Sequence, residues 1–393
     1  MRVLIVNDYG TPASGGVETV MHRLRAALRE RGHDARLFTS SADGPNGRAN
    51  GDTACFGTLT ALRTPLQAFN PWAVRALRRT IRAFRPDVVH LNIFLTQLSP
   101  AILPVLADVP VLYHAHWYRP VCPLGTKRLR NGGDCHEPWG TPCLTRGCLS
   151  LRAWLPLMAQ RRALGRHRRI IDRVIACGAP VRERLLEAGW DDVEVVWNGV
   201  PPSPEPPALV LMPTIAFAGR FAPEKGVEVL IDAFARVARE LPEARLVLAG
   251  DGPSRPEIER LITARDLAHR IHRPGWVPSE SLGELVRGAW VQAVPSLWDE
   301  PFGNAAAEAL MRGTAVVASA RGTLPELVEH RRSGLIVEAG HVDALAGALL
   351  QILRDRRLAG RMGAEGRRFA LERLTESAFV DRMVELYMAV GAS

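Results

Sequence analysis

The chain has 393 residues, 47% hydrophobic and 23% charged, which suits two well-filled α/β domains better than one. No apolar run reaches the ~18 residues of a membrane-spanning helix, and the opening MRVLIVNDYG lacks the apolar core and cleavage site of a secretory signal. The expected location is therefore cytoplasmic, free or at the inner face of the membrane.

The formal net charge of +9 is unevenly spread, because residues 119–184 hold fourteen Lys or Arg against four acids. Such a patch suits an anionic membrane surface or a lipid-linked phosphate, and it equally suits a solvated face of an arginine-rich chain. Nucleic acid is not expected, since no aromatic residues interleave the charges to make a stacking platform. Only Lys127 and Lys225 are lysines among fifty basic residues. Where arginine is the default, each lysine invites the question of what only lysine does there.

The chain opens on a β-run from Arg2 to Asn7, a loop with Gly15-Gly16, and a helix whose Val17, Val20, Met21, Leu24 and Leu28 recur at helical spacing. Gly32 closes that helix and a second β-run, Asp34–Thr39, follows. This βαβ opening implies a parallel sheet. Further strands are expected at Asp87–Asn92, Val109–His114, Arg173–Ala176 and Val193–Trp197, with a helix over Trp72–Phe84. Six prolines between 198 and 213 make a stiff, extended linker.

A second α/β series then begins. Its strands are expected at Thr214–Ala218, Arg245–Ala249, Arg270–Arg273, Trp290–Val294, Ala315–Ala318 and Leu335–Val337, with helices over Val227–Glu240 and Asn304–Arg312 among them. The expected division is 1–197, a linker at 198–213 and 214–374, with a C-terminal helix about 375–393 packing back on the first domain. Two parallel-sheet domains of this kind place ligands at the carboxyl ends of their strands.

Strand Thr214–Ala218 runs into Gly219-Arg220-Phe221-Ala222-Pro223-Glu224-Lys225-Gly226 and then a helix. Arg220 and Lys225 therefore share a loop beside a helix N-terminus, which fits a diphosphate. They count most if that diphosphate leaves, because its charge then grows in the transition state. Downstream, Pro301 and Gly303 keep Glu300 out of the next helix, with Asn304 as its expected N-cap. The N–H groups of Gly303, Asn304 and Ala305 can meet a second phosphate face, and Glu308, one turn inside, suits a ribose diol.

These residues resemble the family-4 (GT4) glycosyltransferases of the GT-B fold: two Rossmann-like parallel-sheet domains facing each other across a cleft. Gly219-Arg220 to Lys225-Gly226 is similar to that family's diphosphate-binding loop, and Glu300-Pro301-Phe302-Gly303 to Glu308 is similar to its Glu-x7-Glu motif. Gly15-Gly16-Val17-Glu18, Asn198-Gly199-Val200 and Gly250-Asp251-Gly252-Pro253 carry the rest of the likeness. The resemblance implies retention of anomeric configuration with a nucleoside-diphosphate sugar as donor. It gives Glu300 the donor sugar, Glu308 the ribose, and Gly16 a donor contact with an acceptor near Gly15. His114 matches the His of the family's His-Asp turn, with Ala115 where an Asp often stands, so His114 is expected at the reacting centre or acceptor. His116 and His90 are read as structural.

No cofactor or metal is expected in the chemistry, since no Asp-x-Asp pair is placed to hold a cation on the diphosphate. Cys122, Cys135, Cys143 and Cys148 lack the paired C-x2-C spacing of zinc knuckles. They are read as reduced structural thiols first, a zinc clip second and disulfides last. The acceptor is open between a lipid-linked glycan precursor of cell-envelope polysaccharide or glycolipid assembly and a soluble natural product. A non-catalytic nucleotide-binding module is the alternative of a different class, and slow donor hydrolysis separates the two.

Overall fold

The computed structural model describes residues 1–12, 15–42 and 52–392. It divides into two compact units, one of residues 1–198 with 379–393, the other of residues 199–378.

In the first unit the chain runs β1 (Arg2–Val6), α1 (Gly16–Glu30), β2 (Asp34–Ser40), β3 (Thr53–Cys55), α2 (Arg63–Ala68) and α3 (Pro71–Phe84). It continues through β4 (Val88–Leu91), β5 (Val111–Ala115), α4 (Pro142–Thr145), α5 (Leu151–His167), β6 (Arg173–Ala176), α6 (Ala179–Glu187) and β7 (Val193–Val195). The sheet order is β3-β2-β1-β4-β5-β6-β7, with parallel pairing throughout. Strands β4 and β5 are buried along their whole length, as a parallel sheet covered on both faces requires. Helix α3 starts where Asn70 accepts from the N–H groups of Trp72 and Ala73 and Pro71 presets the first turn.

The second unit runs β8 (Thr214–Ala218), α7 (Val227–Glu240), β9 (Arg245–Ala249), α8 (Arg255–Ala264), β10 (Ile271–Gly275), α9 (Ser279–Leu285) and β11 (Val291–Val294). It then forms α10 (Asn304–Met311), β12 (Ala315–Ser319), α11 (Leu324–Leu327), β13 (Gly334–Val337), α12 (Val342–Leu353) and α13 (Arg356–Arg373). Its parallel sheet has the order β10-β9-β8-β11-β12-β13. Around it, α7 and α12 bury the aliphatic core that Val227, Leu230, Ile231, Phe234, Leu349 and Ile352 dominate.

The last helix, α14 (Glu376–Gly391), inserts Phe379, Val380, Met383, Leu386, Tyr387 and Val390 into the first unit's core, beside Val3, Ile5, Met21 and Leu24. Two local expectations change. Strand β3 lies where no strand was expected, because parallel pairing to β2 supplies the order its three residues lack. The cap of α10 is Gly303, at φ 96°, and Asn304 is already helical with no capping side chain. The left-handed turn at glycine redirects the chain and removes that task from Asn304.

Candidate functional site

In the second unit, β8 and β11 are paired neighbours, so the loops that leave their carboxyl ends emerge side by side. The first carries Arg220 and Lys225, the second Glu300. Gly226 sits at φ 65° directly after Lys225, and a Cβ there would run into the carbonyl oxygen of Pro295 in the neighbouring loop. Leu297 N–H donates to the Glu224 carbonyl at 2.8 Å, which sews the two loops together.

That stitching brings Lys225 Nζ to 2.7 Å from Glu300 Oε1, with the Ser296 hydroxyl donating to the same oxygen at 2.5 Å. Lys225 also lies over the Trp298 ring, 5.2 Å from its centroid. Glu300 is 5% exposed. Burial alone would raise its pKa, but the Lys225 charge and the hydrogen bonds from Lys225 and Ser296 outweigh that and hold it below the usual carboxylate range. On the other side Gly322 packs directly on the Glu300 backbone, and Thr323 N–H donates to the Glu300 carbonyl at 3.0 Å. Glu300 is thus an ionised carboxylate fixed at both ends. Arg220 is different. Its side chain is largely exposed and paired with Glu224 at 2.6 Å, so it presents a charge at the solvent side of the same loop.

Four residues beyond Glu300, α10 begins at Asn304, and its first N–H groups have no acceptor within the helix. Gly303, Asn304 and Ala305 occupy that first turn. Glu308 is one turn further, half-buried, and its charge raises the pKa of Arg312, which burial lowers. Arg220, Lys225, Glu300, Gly303, Asn304, Ala305 and Glu308 thus all belong to two adjacent loops and one helix start. Together they offer positive charge and N–H donors to an anion, and carboxylates to hydroxyl groups.

The first unit corrects one expectation. Strand β5 runs one residue past His114, to Ala115, and His114 lies within its buried stretch, on the face of Leu112. It is fully buried near Phe379 of α14, and among the described residues neither ring nitrogen has a hydrogen-bond partner. The histidine just past the strand is His116, whose Nε2 is 2.9 Å from Asn92 Oδ1 at the end of β4. His116, read from sequence as structural, therefore occupies the edge position expected of His114. Gly15 is the extended N-cap of α1 and Gly16 its first residue. A Cβ on Gly15 would press on the carboxylate of Glu18, which in turn accepts from Asn7 Nδ2 at 3.1 Å.

Sequence reasoning missed Asp8. It is wholly buried and accepts from Thr96 N–H and hydroxyl, Gln97 N–H and Leu98 N–H. Its position straight after the first strand was the available signal, yet nothing local announces partners almost ninety residues away.

Cys122, Cys135, Cys143 and Cys148 line a common pocket, and all are free thiols. Burial and the neighbouring thiols push the pKa values of Cys143 and Cys148 up. Among the described residues no three or more His, Cys, Asp or Glu form a group that could hold a metal ion. The zinc expectation for these cysteines finds no support in that geometry, because sharing a pocket is looser than the ligand distances a metal demands. Lys127 holds the loop from inside, donating from Nζ to the Glu137 carbonyl at 2.8 Å.

Comparison with known proteins settles the family. Residues 14–203 match the model of Glycosyltransferase Family 4, and residues 211–369 match Glycosyl transferases group 1. The chain is a family-4 glycosyltransferase with the GT-B fold. This glycosyltransferase is 29% identical to alpha-maltose-1-phosphate synthase of Mycolicibacterium smegmatis, over the whole of both chains. Its fold is similar to that of sucrose-phosphate synthase from Thermosynechococcus elongatus, with TM-score 0.76 and 24% identity over 100% of this chain and 99% of that one. It is also similar to Anabaena HepE solved in complex with UDP-glucose, with TM-score 0.73 and 20% identity over 99% of this chain and 100% of that one. The glycosyltransferase has no described helix long and apolar enough to cross a membrane.

Proposed function

We propose that this glycosyltransferase moves a sugar from a nucleoside-diphosphate sugar to an acceptor hydroxyl with retention of configuration and without a metal ion. The observation that carries the reading is the 2.7 Å pair between Lys225 and Glu300 in adjacent loops at a helix start. Lys225, Arg220 and the first N–H groups of α10 would stabilise the departing diphosphate. Glu300, ionised and rigid, would accept from the donor sugar, and Glu308 from the ribose. A UDP-sugar is the donor class favoured by the likeness to HepE. Gly15, Gly16 and His116 are assigned to donor and acceptor contacts in the first unit, with His116 taking the role first given to His114.

The acceptor is proposed to be lipid-linked, in cell-envelope polysaccharide or glycolipid assembly. The unpaired arginines of α5 within the basic region 119–184 support that reading. Arg152, Arg161, Arg162 and Arg166 are exposed and form no ion pair among the described residues, whereas Arg146, Arg173 and Arg184 are paired with Glu137, Glu194 and Glu187.

The test is a panel of sugar nucleotides assayed for slow hydrolysis with and without EDTA, with the anomer released read by NMR. Hydrolysis of one donor, indifferent to EDTA and yielding the donor's own anomer, is expected. Lys225→Ala should lower turnover by about 10²–10³. In the same assay Glu308→Ala should weaken binding of the free nucleoside diphosphate, while Glu300→Ala leaves it nearly intact. An inverted product, or full turnover in a folded Lys225→Ala, refutes the mechanism.

A further inference from the structure

The first unit carries a second basic surface, outside residues 119–184. From Phe56 to Arg85 the sequence contains Arg63, Arg75, Arg78, Arg79, Arg82 and Arg85 and not one acid. None of these six arginines forms an ion pair among the described residues, and all are exposed. The same stretch displays large apolar side chains to solvent: Phe56 is 44% exposed, Trp72 52%, Phe69 59%, and Leu59 and Leu62 both 62%. Scattered exposed leucines need no explanation, but these five lie within seventeen residues of one another. The two ends of that stretch also meet. The rings of Phe56 and Trp72 are 5.1 Å apart, and Asn70 Nδ2 donates to the Phe56 carbonyl at 3.1 Å.

Helix α3 orders the charges. Trp72, Arg75, Arg79 and Arg82 follow at intervals of three, four and three, which is one face of a helix, while Ala73, Leu77, Thr80 and Phe84 bury the opposite face. An aromatic residue thus stands at the start of a row of arginines, beside leucines on an exposed turn. An apolar anchor combined with uncompensated cations matches the boundary between anionic headgroups and acyl chains.

We propose that residues 56–85 form a docking face for an anionic lipid bilayer. Phe56, Leu59, Leu62, Phe69 and Trp72 enter the boundary layer, and the α3 arginines meet lipid phosphates. The proposal complements the lipid-linked acceptor reading, which it would explain, but its measurement needs neither donor nor acceptor. A small soluble anion would engage the arginines and leave the five exposed hydrophobics uncovered. An acidic second copy is not offered by this chain, whose net charge is +9.

The experiment is co-sedimentation of the full chain with phosphatidylglycerol-rich vesicles and with pure phosphatidylcholine vesicles. The chain is expected to pellet with the anionic vesicles only. The triple variant Arg75→Glu/Arg79→Glu/Arg82→Glu should lower the partition coefficient by about 100-fold or more, at roughly fivefold for each basic charge lost. Leu62→Ser/Trp72→Ser should leave residual binding that high salt abolishes. All these positions are exposed, so the thermal midpoint and slow donor hydrolysis should stay at wild-type values. Wild-type chain that remains in the supernatant overturns the proposal, as do variants that pellet as well as wild type. A wild-type dimer that Leu62→Ser/Trp72→Ser converts to monomer, without bilayer binding, assigns the face to self-association and also overturns it. Loss of donor hydrolysis in the wild type would instead count against the transferase mechanism and leave the vesicle result standing.

Discussion

Three imidazoles meet inside the first unit. The rings of His90 and His114 stack with centroids 5.6 Å apart, and those of His114 and His116 are 3.8 Å apart. Tyr387 of α14 places its hydroxyl 2.7 Å from His90 Nδ1. Burial holds all three histidines neutral, with His90 and His116 pushed down to about 3 and His114 well below its ordinary value. In the unfolded chain the same residues take up a proton near pH 6.5. Folded pKa values below unfolded ones mean that acid favours the unfolded state. Stability should therefore be intact above about pH 6.5 and lost progressively as pH falls from there toward 3. At about pH 5 each of His90 and His116 should cost roughly 2 kcal/mol. The thermal midpoint is expected to fall between about pH 7.5 and pH 5, and His114→Leu, which removes an unpartnered imidazole, should make that fall shallower. A midpoint that holds or rises toward acid would contradict this account.

At the scale of the element, the proposed chemistry rests on two loops and a helix start, and glycine sets how closely they approach. Gly226 combines φ 65° with a contact that leaves no room for a Cβ against the Pro295 carbonyl. Gly226→Ala should cost about 1–3 kcal/mol from backbone strain and part Lys225 from Glu300. A lowered thermal midpoint together with weaker nucleoside-diphosphate binding by calorimetry is the expected pair of results; a change in neither would show that the approach is not tight. Lys225 was legible in the sequence because a lysine is conspicuous among fifty bases, and Glu300 because Pro301 and Gly303 forbid helix around it. The N-cap was misread because Asn304 has the right chemistry while Gly303 has the right backbone freedom. His114 is more deeply buried than its expected place at the strand end implied. The strand runs one residue past His114, so that side chain lies within its buried stretch and the loop begins only after Ala115. Asp8 and His116 stayed unreadable because their partners, Thr96 to Leu98 and Asn92, are supplied by another strand's loop.

Across the whole molecule the repeated alternation of strand and helix made both parallel sheets readable, since a βαβ unit leaves little choice of pairing or hand. Their strand order was not readable, because parallel neighbours need not be consecutive. The six core side chains of α14 should each contribute about 1.5–3 kcal/mol to the first unit. Together that is roughly 9–18 kcal/mol, comparable to the whole stability of a domain. A chain ending at Ala378 is therefore expected to lose the cooperative melting of residues 1–198 while residues 199–378 keep theirs. Limited proteolysis followed by mass spectrometry would show this as a surviving second-unit fragment; survival of the first unit instead would mean that α14 is dispensable.

The same return of the chain sets an order of assembly. Residues 1–198 leave the ribosome first, yet Phe379 to Val390 complete their core only after residues 199–378 have been made. At about 5–20 residues per second that delay is roughly ten to forty seconds. During it, Val3, Ile5, Met21 and Leu24 lack their final covering, so the half of the enzyme translated first is the half that matures last and most needs a chaperone's shelter.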